Sequence, residues 1–263
     1  MKKCLVFSFY LFEGWKDSFA NRVHLAYLKH YHDIFDKALF IIVCDDISNL
    51  LLIEEFEKEI VDIGFVNVEF RIMKNNPLRE AEPFYEEVVK KMNDYTDYIV
   101  TWGHNKGVSS PYFYPEGLFN WLSALYFGTM GLMEDCEQKM LSNYYGGEKY
   151  FYGALLVEGN GADINWMYSG SFFNFNPGSI LKAINRNGKG FPVLSNRAYV
   201  EEFPGELFEK DRLGSWKDSY LFHQYSNFYD YSEKDWEETF VIIFNGVLGD
   251  FNKTKNDIWS TLK

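Results

Sequence analysis

Apolar positions along the first hundred residues alternate between two kinds of run. Cys4–Tyr10 and Ala38–Cys44 are continuously apolar, the pattern of strands covered on both faces. Ser18–Phe35 has helical spacing, with Val23, Leu25, Ala26, Leu28 and Tyr31 mostly on one side. Asn49–Ile63 reads as an amphipathic helix stopped by Gly64. Val66–Met73 alternates as a third strand, Leu78–Met92 reads as a helix, and Asp97–Trp102 is a fourth apolar strand running into Gly103-His104-Asn105-Lys106-Gly107. Repeated strand–helix–strand units predict an α/β, Rossmann-like fold with a mostly parallel central sheet flanked by helices. Ligands of such sheets sit beyond the carboxyl ends of the strands, here after Tyr10, Cys44, Met73 and Trp102.

The second half has a different, mixed pattern. Glu116–Leu141 predicts one long helix whose stripe is Leu118, Trp121, Leu122, Leu125, Leu132, Met133 and Cys136. Tyr150–Val157 and Tyr168–Phe175 predict strands on either side of a polar, Gly-rich loop at Gly159–Asn165. Helices follow over Pro177–Asn185 and Tyr199–Phe208, and Thr239–Gly246 reads as a strand. No internal repeat or low-complexity linker divides the chain, so residues 1–263 predict a single domain with two subregions.

Composition narrows the function classes. Apolar residues make up 47 %, enough for a full core, and aromatic residues 19 %. Rings stack on sugar faces and nucleobases, which suits a carbohydrate enzyme; a ring-rich core is the alternative. The net charge of −12 disfavours nucleic acid as a bulk partner, while leaving room for a local basic pocket that takes one diphosphate. Cys4, Cys44 and Cys136 are odd in number and widely spaced, which predicts a reducing, cytoplasmic setting and neither disulfides nor a zinc site. Met1-Lys2-Lys3 and the apolar run to Phe12 look superficially like a signal peptide. The run is short, ends in Glu13-Gly14-Trp15-Lys16-Asp17, and lacks a small-x-small cleavage site, so a buried first strand is the better reading. No apolar stretch approaches the ~18–20 residues that cross a bilayer.

Three constellations could carry chemistry. His104-Asn105-Lys106-Gly107 follows a strand's carboxyl end, where Lys106 offers a point charge to a diphosphate, His104 a hydrogen bond, and Gly107 a close backbone approach. An ordinary polar loop is the alternative. Tyr168-Ser169-Gly170-Ser171-Phe172-Phe173 sets small hydroxyl residues around a glycine between rings, a surface for a flat ligand or a strand with a bulge at Gly170. In Arg197-Ala198-Tyr199-Val200-Glu201-Glu202-Phe203, Arg197 and Glu201 share a helix face and could pair, or a glutamate could deprotonate an acceptor hydroxyl.

Taken in order, these segments resemble a GT-A-type family of bacterial and viral glycosyltransferase-like proteins from surface-polysaccharide loci. The family shows a strand ending in His-Thr-Lys-Gly, a Trp-bearing helix, a His-x-Ser-Gly-Asn-Phe-Trp-Trp segment and an Arg-x-x-Ala-Glu helix. His104, Lys106 and Gly107 fall on the first motif, Trp121 on the second element, Ser169, Gly170 and Phe172 on the third, and Arg197 and Glu201 on the last, with Glu202 an extra carboxylate. Met167 stands where the family has His, Ser171 replaces Asn, and Phe173-Asn174 replaces the two Trp residues. The resemblance covers about Asp97–Phe208; the first ninety residues agree in general layout only.

The resemblance implies transfer of a sugar from a nucleotide-sugar donor to a glycan or other hydroxyl acceptor. Residues 1–107 would form a nucleotide-binding half and 108–263 an acceptor and catalytic half. Phe9, Tyr10, Asp45 and Asp46 are the expected contacts of the nucleotide, with Lys106 and His104 stabilising the departing diphosphate. Trp121, Ser169, Gly170, Ser171 and Arg197 would shape the sugar or acceptor pocket. Glu201 is the first candidate for the base in a direct displacement, with Glu202, Asp163 and Glu158 as rivals. Many GT-A enzymes hold a divalent ion on Asp-x-Asp, and this chain has no Asp-x-Asp. Asp45-Asp46 is adjacent rather than alternating and suits a ribose or base, or a helix cap. A cation at Lys106 favours metal-independent chemistry, with Mn²⁺ or Mg²⁺ left open. Two alternatives stand: a phage or viral enzyme glycosylating a modified DNA base, with nucleic acid as acceptor, and a non-catalytic protein that binds a sugar nucleotide or glycan.

Overall fold

A computed structural model describes residues 1–105, 115–141, 149–153, 156–158, 166–168, 170–188, 190–209, 212–215 and 233–263. Four parallel strands carry the first half: β1 (Lys2–Leu11), β2 (Lys37–Cys44), β3 (Val68–Lys74) and β4 (Tyr98–His104). Between them run α1 (Phe19–Tyr31), α2 (Leu50–Ile63) and α3 (Ala81–Phe84). The α1 and α2 boundaries have local causes. Ser18 Oγ accepts from Asn21 N–H at the start of α1, and Asn49 Oδ1 accepts from Leu52 N–H at the start of α2. Gly64 ends α2 at φ +102°, a left-handed position that favours glycine.

The remaining elements are α4 (Pro115–Tyr126), α5 (Met133–Leu141), β5 (Phe151–Gly153), β6 (Leu156–Glu158), β7 (Trp166–Tyr168), β8 (Phe173–Phe175), α6 (Pro177–Asn187), α7 (Tyr199–Leu207), β9 (Leu213–Ser215), α8 (Glu233–Ile243) and α9 (Leu248–Leu262). Among the described residues the central sheet has seven strands in the order β3-β2-β1-β4-β8-β5-β9, and β6 pairs with β7 in a second, small sheet. β8 lies antiparallel between β4 and β5, while β5 and β9 are parallel. Among the described strands of this sheet, β8 alone therefore runs against the rest. Its amino end lies at the carboxyl end of β4, where Trp102 faces Phe173.

Two apolar layers cover the sheet. Leu5, Phe7 and Phe9 of β1 enter the core shared with α1, α2, α4 and the C-terminal helices. Cys4 and Val6 enter the opposite core, formed with Phe84, Ile180 and Phe203. This is the period-two alternation of a strand buried on both faces.

Several expected elements differ. The Glu116–Leu141 helix is interrupted by a wide, π-type turn at Phe127–Gly131, so α4 and α5 are separate. The Leu78–Met92 helix is one α-turn, a π-type turn at Tyr85–Val89, and a tight 3₁₀ turn at Met92–Tyr95. The strand expected at Thr239–Gly246 is the end of helix α8, followed by α9. Its β-branched run suggested a strand, but Trp236, Thr239, Phe240 and Ile243 are buried together, the i, i+3, i+4, i+7 stripe of a helix. Tertiary packing overrides local propensity there. The strands expected at Tyr150–Val157 and Tyr168–Phe175 are each divided: β5 and β8 join the central sheet, β6 and β7 the small one. Among the described residues no helix is long and apolar enough to cross a membrane.

Candidate functional site

Two groups of polar side chains lie at the carboxyl edge of the central sheet. The first joins the ends of β1, β2 and β3. Tyr10 hydroxyl donates to Asp45 Oδ2 at 2.7 Å, and Asn75 Nδ2 donates to Asp45 Oδ1 at 2.8 Å. The Tyr10 ring stacks on Phe12 with centroids 5.9 Å apart and planes 29° apart. Partial burial, then the Asp45 hydrogen bond and charge, push the Tyr10 hydroxyl up to about 12, so it is a donor at neutral pH. The Asn75 and Tyr10 hydrogen bonds hold the Asp45 carboxyl below the ordinary aspartate range. Arg79, at φ +50°, acts on Tyr10 in the opposite sense to Asp45. The result is a small stacked aromatic surface beside a fixed, exposed carboxylate.

Asp46 is exposed and closes its own turn: Ser48 N–H and Ser48 hydroxyl both donate to Oδ1, at 2.9 and 2.6 Å. Those two bonds, the side-chain one first, lower its carboxyl as well. Capping of α2 falls to Asn49, not to either aspartate. Phe9 is a correction: it is fully buried, 4.5 Å from the Phe56 ring and 5.8 Å from Trp15, and therefore a core residue rather than a nucleotide contact. One step of strand alternation separates it from Tyr10.

The second group gathers around the start of β8. Gly170 and Ser171 are both left-handed, at φ +86° and +54°, and break the chain between β7 and β8. Gly170 N–H donates to Glu201 Oε1 at 3.2 Å, and Ser171 N–H donates to Tyr168 O at 3.1 Å. A Cβ on Gly170 would lie 2.9 Å from Leu125 Cδ1 and 3.1 Å from Trp121 Cζ2, so the turn is pressed against α4. Trp121 is buried and packs this turn from behind. Ser171 is buried too, and its hydroxyl has no hydrogen-bond partner among the described residues. Phe172 sits 6.1 Å from the His104 ring and 6.1 Å from Phe7.

His104 is the last residue of β4, in register with Ser8, and is buried; it belongs to the strand, not to the loop after it. Arg197 is exposed in the turn ahead of α7 and so lies off the helix on which pairing with Glu201 was expected. Glu201 and Glu202 occupy the first turn of α7, and Glu202 Oε2 accepts from Asn196 Nδ2 at 3.5 Å. Burial, then the Glu202 charge, raises the carboxyl of Glu206 on the same helix. Lys106, Gly107, Asp163 and Ser169 lie outside the described residues, as does the side chain of Glu158, the last residue of β6.

His104, Trp121, Gly170, Ser171 and Glu201 are thus brought together, and Tyr10 and Asp45 form their own group on neighbouring strands. Sequence reasoning missed Phe12, Asn75 and Arg79, and gave Asn105 no role. Asn75 and Asn105 each lie one residue past a strand's carboxyl end, the position that would have drawn attention to them. Among the described residues, no group of three or more His, Cys, Asp or Glu side chains could hold a metal ion. No known family pattern matches the chain, and no curated protein matches it significantly. What geometry defines is an α/β protein with a mixed, mostly parallel sheet and polar groups at its carboxyl edge.

Proposed function

We propose that the protein is a GT-A-type glycosyltransferase that moves a sugar from a nucleotide-sugar donor to a hydroxyl acceptor. The convergence of four segments spread from residue 104 to residue 201 carries this reading: His104 meets Phe172, Trp121 and Leu125 back Gly170, and Gly170 is bonded to Glu201. Among the described strands of the sheet only β8 is reversed, which agrees with it, because that reversal brings the Gly170-Ser171 turn to the carboxyl edge.

On this reading the nucleoside lies on Tyr10 and Phe12, with Asp45 or Asp46 accepting from a ribose hydroxyl or base N–H. Lys106 and His104 assist the leaving diphosphate, electrostatic help aimed where charge develops. A carboxylate among Glu201, Glu202, Glu158 and Asp163 takes the acceptor proton as the hydroxyl attacks the anomeric carbon. A requirement for Mn²⁺ or Mg²⁺ is tested by running the thermal-unfolding series below with and without the ion.

Thermal unfolding against UDP, GDP, CDP and TDP sugars tests the reading, since a ligand that binds the native state raises the midpoint. The expected result is a rise with at least one donor, lost in Lys106→Ala. No rise with any donor contradicts it. A second reading, a nucleotide-sugar-binding protein without turnover, is favoured by the commitment of one Glu201 oxygen to the Gly170 N–H. Binding with neither hydrolysis nor transfer of the donor would select it.

A further inference from the structure

β1 is longer than its partner at the carboxyl edge. The β1–β4 register ends at Ser8 and His104, yet β1 continues through Phe9, Tyr10 and Leu11. On the other side, Tyr10 and Leu11 remain paired with Val43 and Cys44 of β2. The Asn105 side chain occupies the gap that β4 leaves. Asn105 N–H donates to Ser8 O at 3.1 Å. Its amide then repeats the pattern of a peptide group: Tyr10 N–H donates to Oδ1 at 2.7 Å, and Nδ2 donates to Tyr10 O at 2.9 Å. Nδ2 also donates to Asn21 Oδ1 on α1 at 3.0 Å, and Asn21 Nδ2 donates to Trp15 O at 2.9 Å. Asn105 and Asn21 are both buried.

This pairing is specific to a primary amide. It must accept from Tyr10 N–H and donate to Tyr10 C=O at once, which neither a carboxylate nor an alanine can do. Aspartate would keep the first bond and set a charged oxygen against the Tyr10 carbonyl. Asn21 could turn its amide over to donate only by giving up its own bond to Trp15 O, and the Tyr10 carbonyl cannot donate at all. A buried polar group left without its partner is costly, so the end of β1 and the exit of β4 depend on this one side chain.

We propose that Asn105 is a positioning residue: its amide stands in for the missing peptide of β4 and holds the end of that strand, and with it His104, against β1. The proposal rests on the nucleotide-sugar reading above for its functional consequence. Loss of the amide affects the two ends of the donor unequally. Tyr10 keeps its pairing with β2, so the nucleoside surface formed by Tyr10, Phe12 and Asp45 stays in place. The end of β4 keeps the Asn105 N–H bond to Ser8 O but loses the side-chain bonds to Tyr10, so His104, on the diphosphate side of the proposed site, is displaced.

The test compares wild type, Asn105→Asp and Asn105→Ala by calorimetric titration with UDP, GDP, CDP and TDP and with their parent nucleosides. For the diphosphate that wild type binds, affinity is expected to fall at least about tenfold in Asn105→Asp, as for loss of a charge-assisted contact, while the parent nucleoside changes less than about threefold. A variant that is merely less stable would weaken both ligands alike. Hydrogen exchange at the Tyr10 amide, which needs no ligand, should accelerate at least about tenfold in Asn105→Ala, which removes its acceptor. Unchanged exchange overturns the ladder role of Asn105. Accelerated exchange with an unchanged diphosphate-to-nucleoside ratio overturns the positioning role alone. A wild-type protein that binds none of the four diphosphates overturns the nucleotide reading and the positioning role with it.

Discussion

At the scale of single residues, parity and handedness decide which side chains can act. Phe9 and Tyr10 were equal as neighbours at a strand end, but alternation sends Phe9 into the core with Trp15 and Phe56 and leaves Tyr10 at the edge with Asp45. The sequence placed the strand end one residue early, at Tyr10 rather than Leu11, and the step at which burial gives way to exposure depends on packing from α2. Gly170 was legible as a bulge, and its left-handed φ and contact with Trp121 explain why glycine stands there. Gly170→Ala is expected to cost about 2 kcal/mol or more, from the left-handed backbone and the close approach to Leu125, in urea unfolding. A loss below about 0.5 kcal/mol would mean that the turn relaxes freely. Asp45 makes a pH-dependent contribution. Its folded carboxyl is held below the ordinary value by Asn75 and then Tyr10, so the stabilisation is complete above the aspartate range and is lost as pH falls through the folded value. The stability difference between wild type and Asp45→Asn should therefore be constant near neutrality and shrink below about pH 4. A difference that stays constant to pH 3 or below would contradict the assignment of those two bonds to the ionised form.

At the scale of elements, the first four strands and the two helices between β1, β2 and β3 were readable because hydrophobic period and caps agree, as at Asn49 and Gly64. The C-terminal elements were not. Thr239–Ile243 is rich in β-branched residues, and only packing against Phe251 and Phe244 makes it helical. The two assignments differ in a measurable way. In a strand Val241 and Ile243 would share a face; in α8 Val241 is exposed and Ile243 is buried. Val241→Lys is expected to change stability by less than about 0.5 kcal/mol and Ile243→Asp to cost more than about 3 kcal/mol. Similar effects at the two positions would restore the strand. The interruption between α4 and α5 also escaped the sequence, because its partner is remote. Thr129 C=O accepts from buried Asn174 Nδ2 at 2.9 Å, and Thr101 hydroxyl donates to Asn174 Oδ1 at 2.6 Å. Asn174→Ala strands two buried groups and is expected to cost about 2–4 kcal/mol in chemical unfolding. A near-neutral result would show that the wide turn is held by apolar packing alone.

At the scale of the molecule, the mostly parallel sheet followed from repeated strand–helix units, whereas the reversed β8 did not: its direction depends on pairings between strands remote in sequence. That reversal puts both polar groups at one edge of the sheet. It brings Gly170, Ser171 and Glu201 to the edge where β1 and β2 present Tyr10 and Asp45. The net charge of −12 gives the molecule no general attraction for phosphates, so on the proposed reading diphosphate affinity is expected to come from a few groups such as Lys106 and to fall when they are removed. The most direct measurement is a calorimetric titration of the wild-type protein and of Lys106→Ala with UDP, GDP, CDP and TDP sugars. Saturable binding of at least one donor by wild type and at least about a tenfold loss in Lys106→Ala are expected. Absence of saturable binding to all four, or equal affinity in the variant, would contradict it.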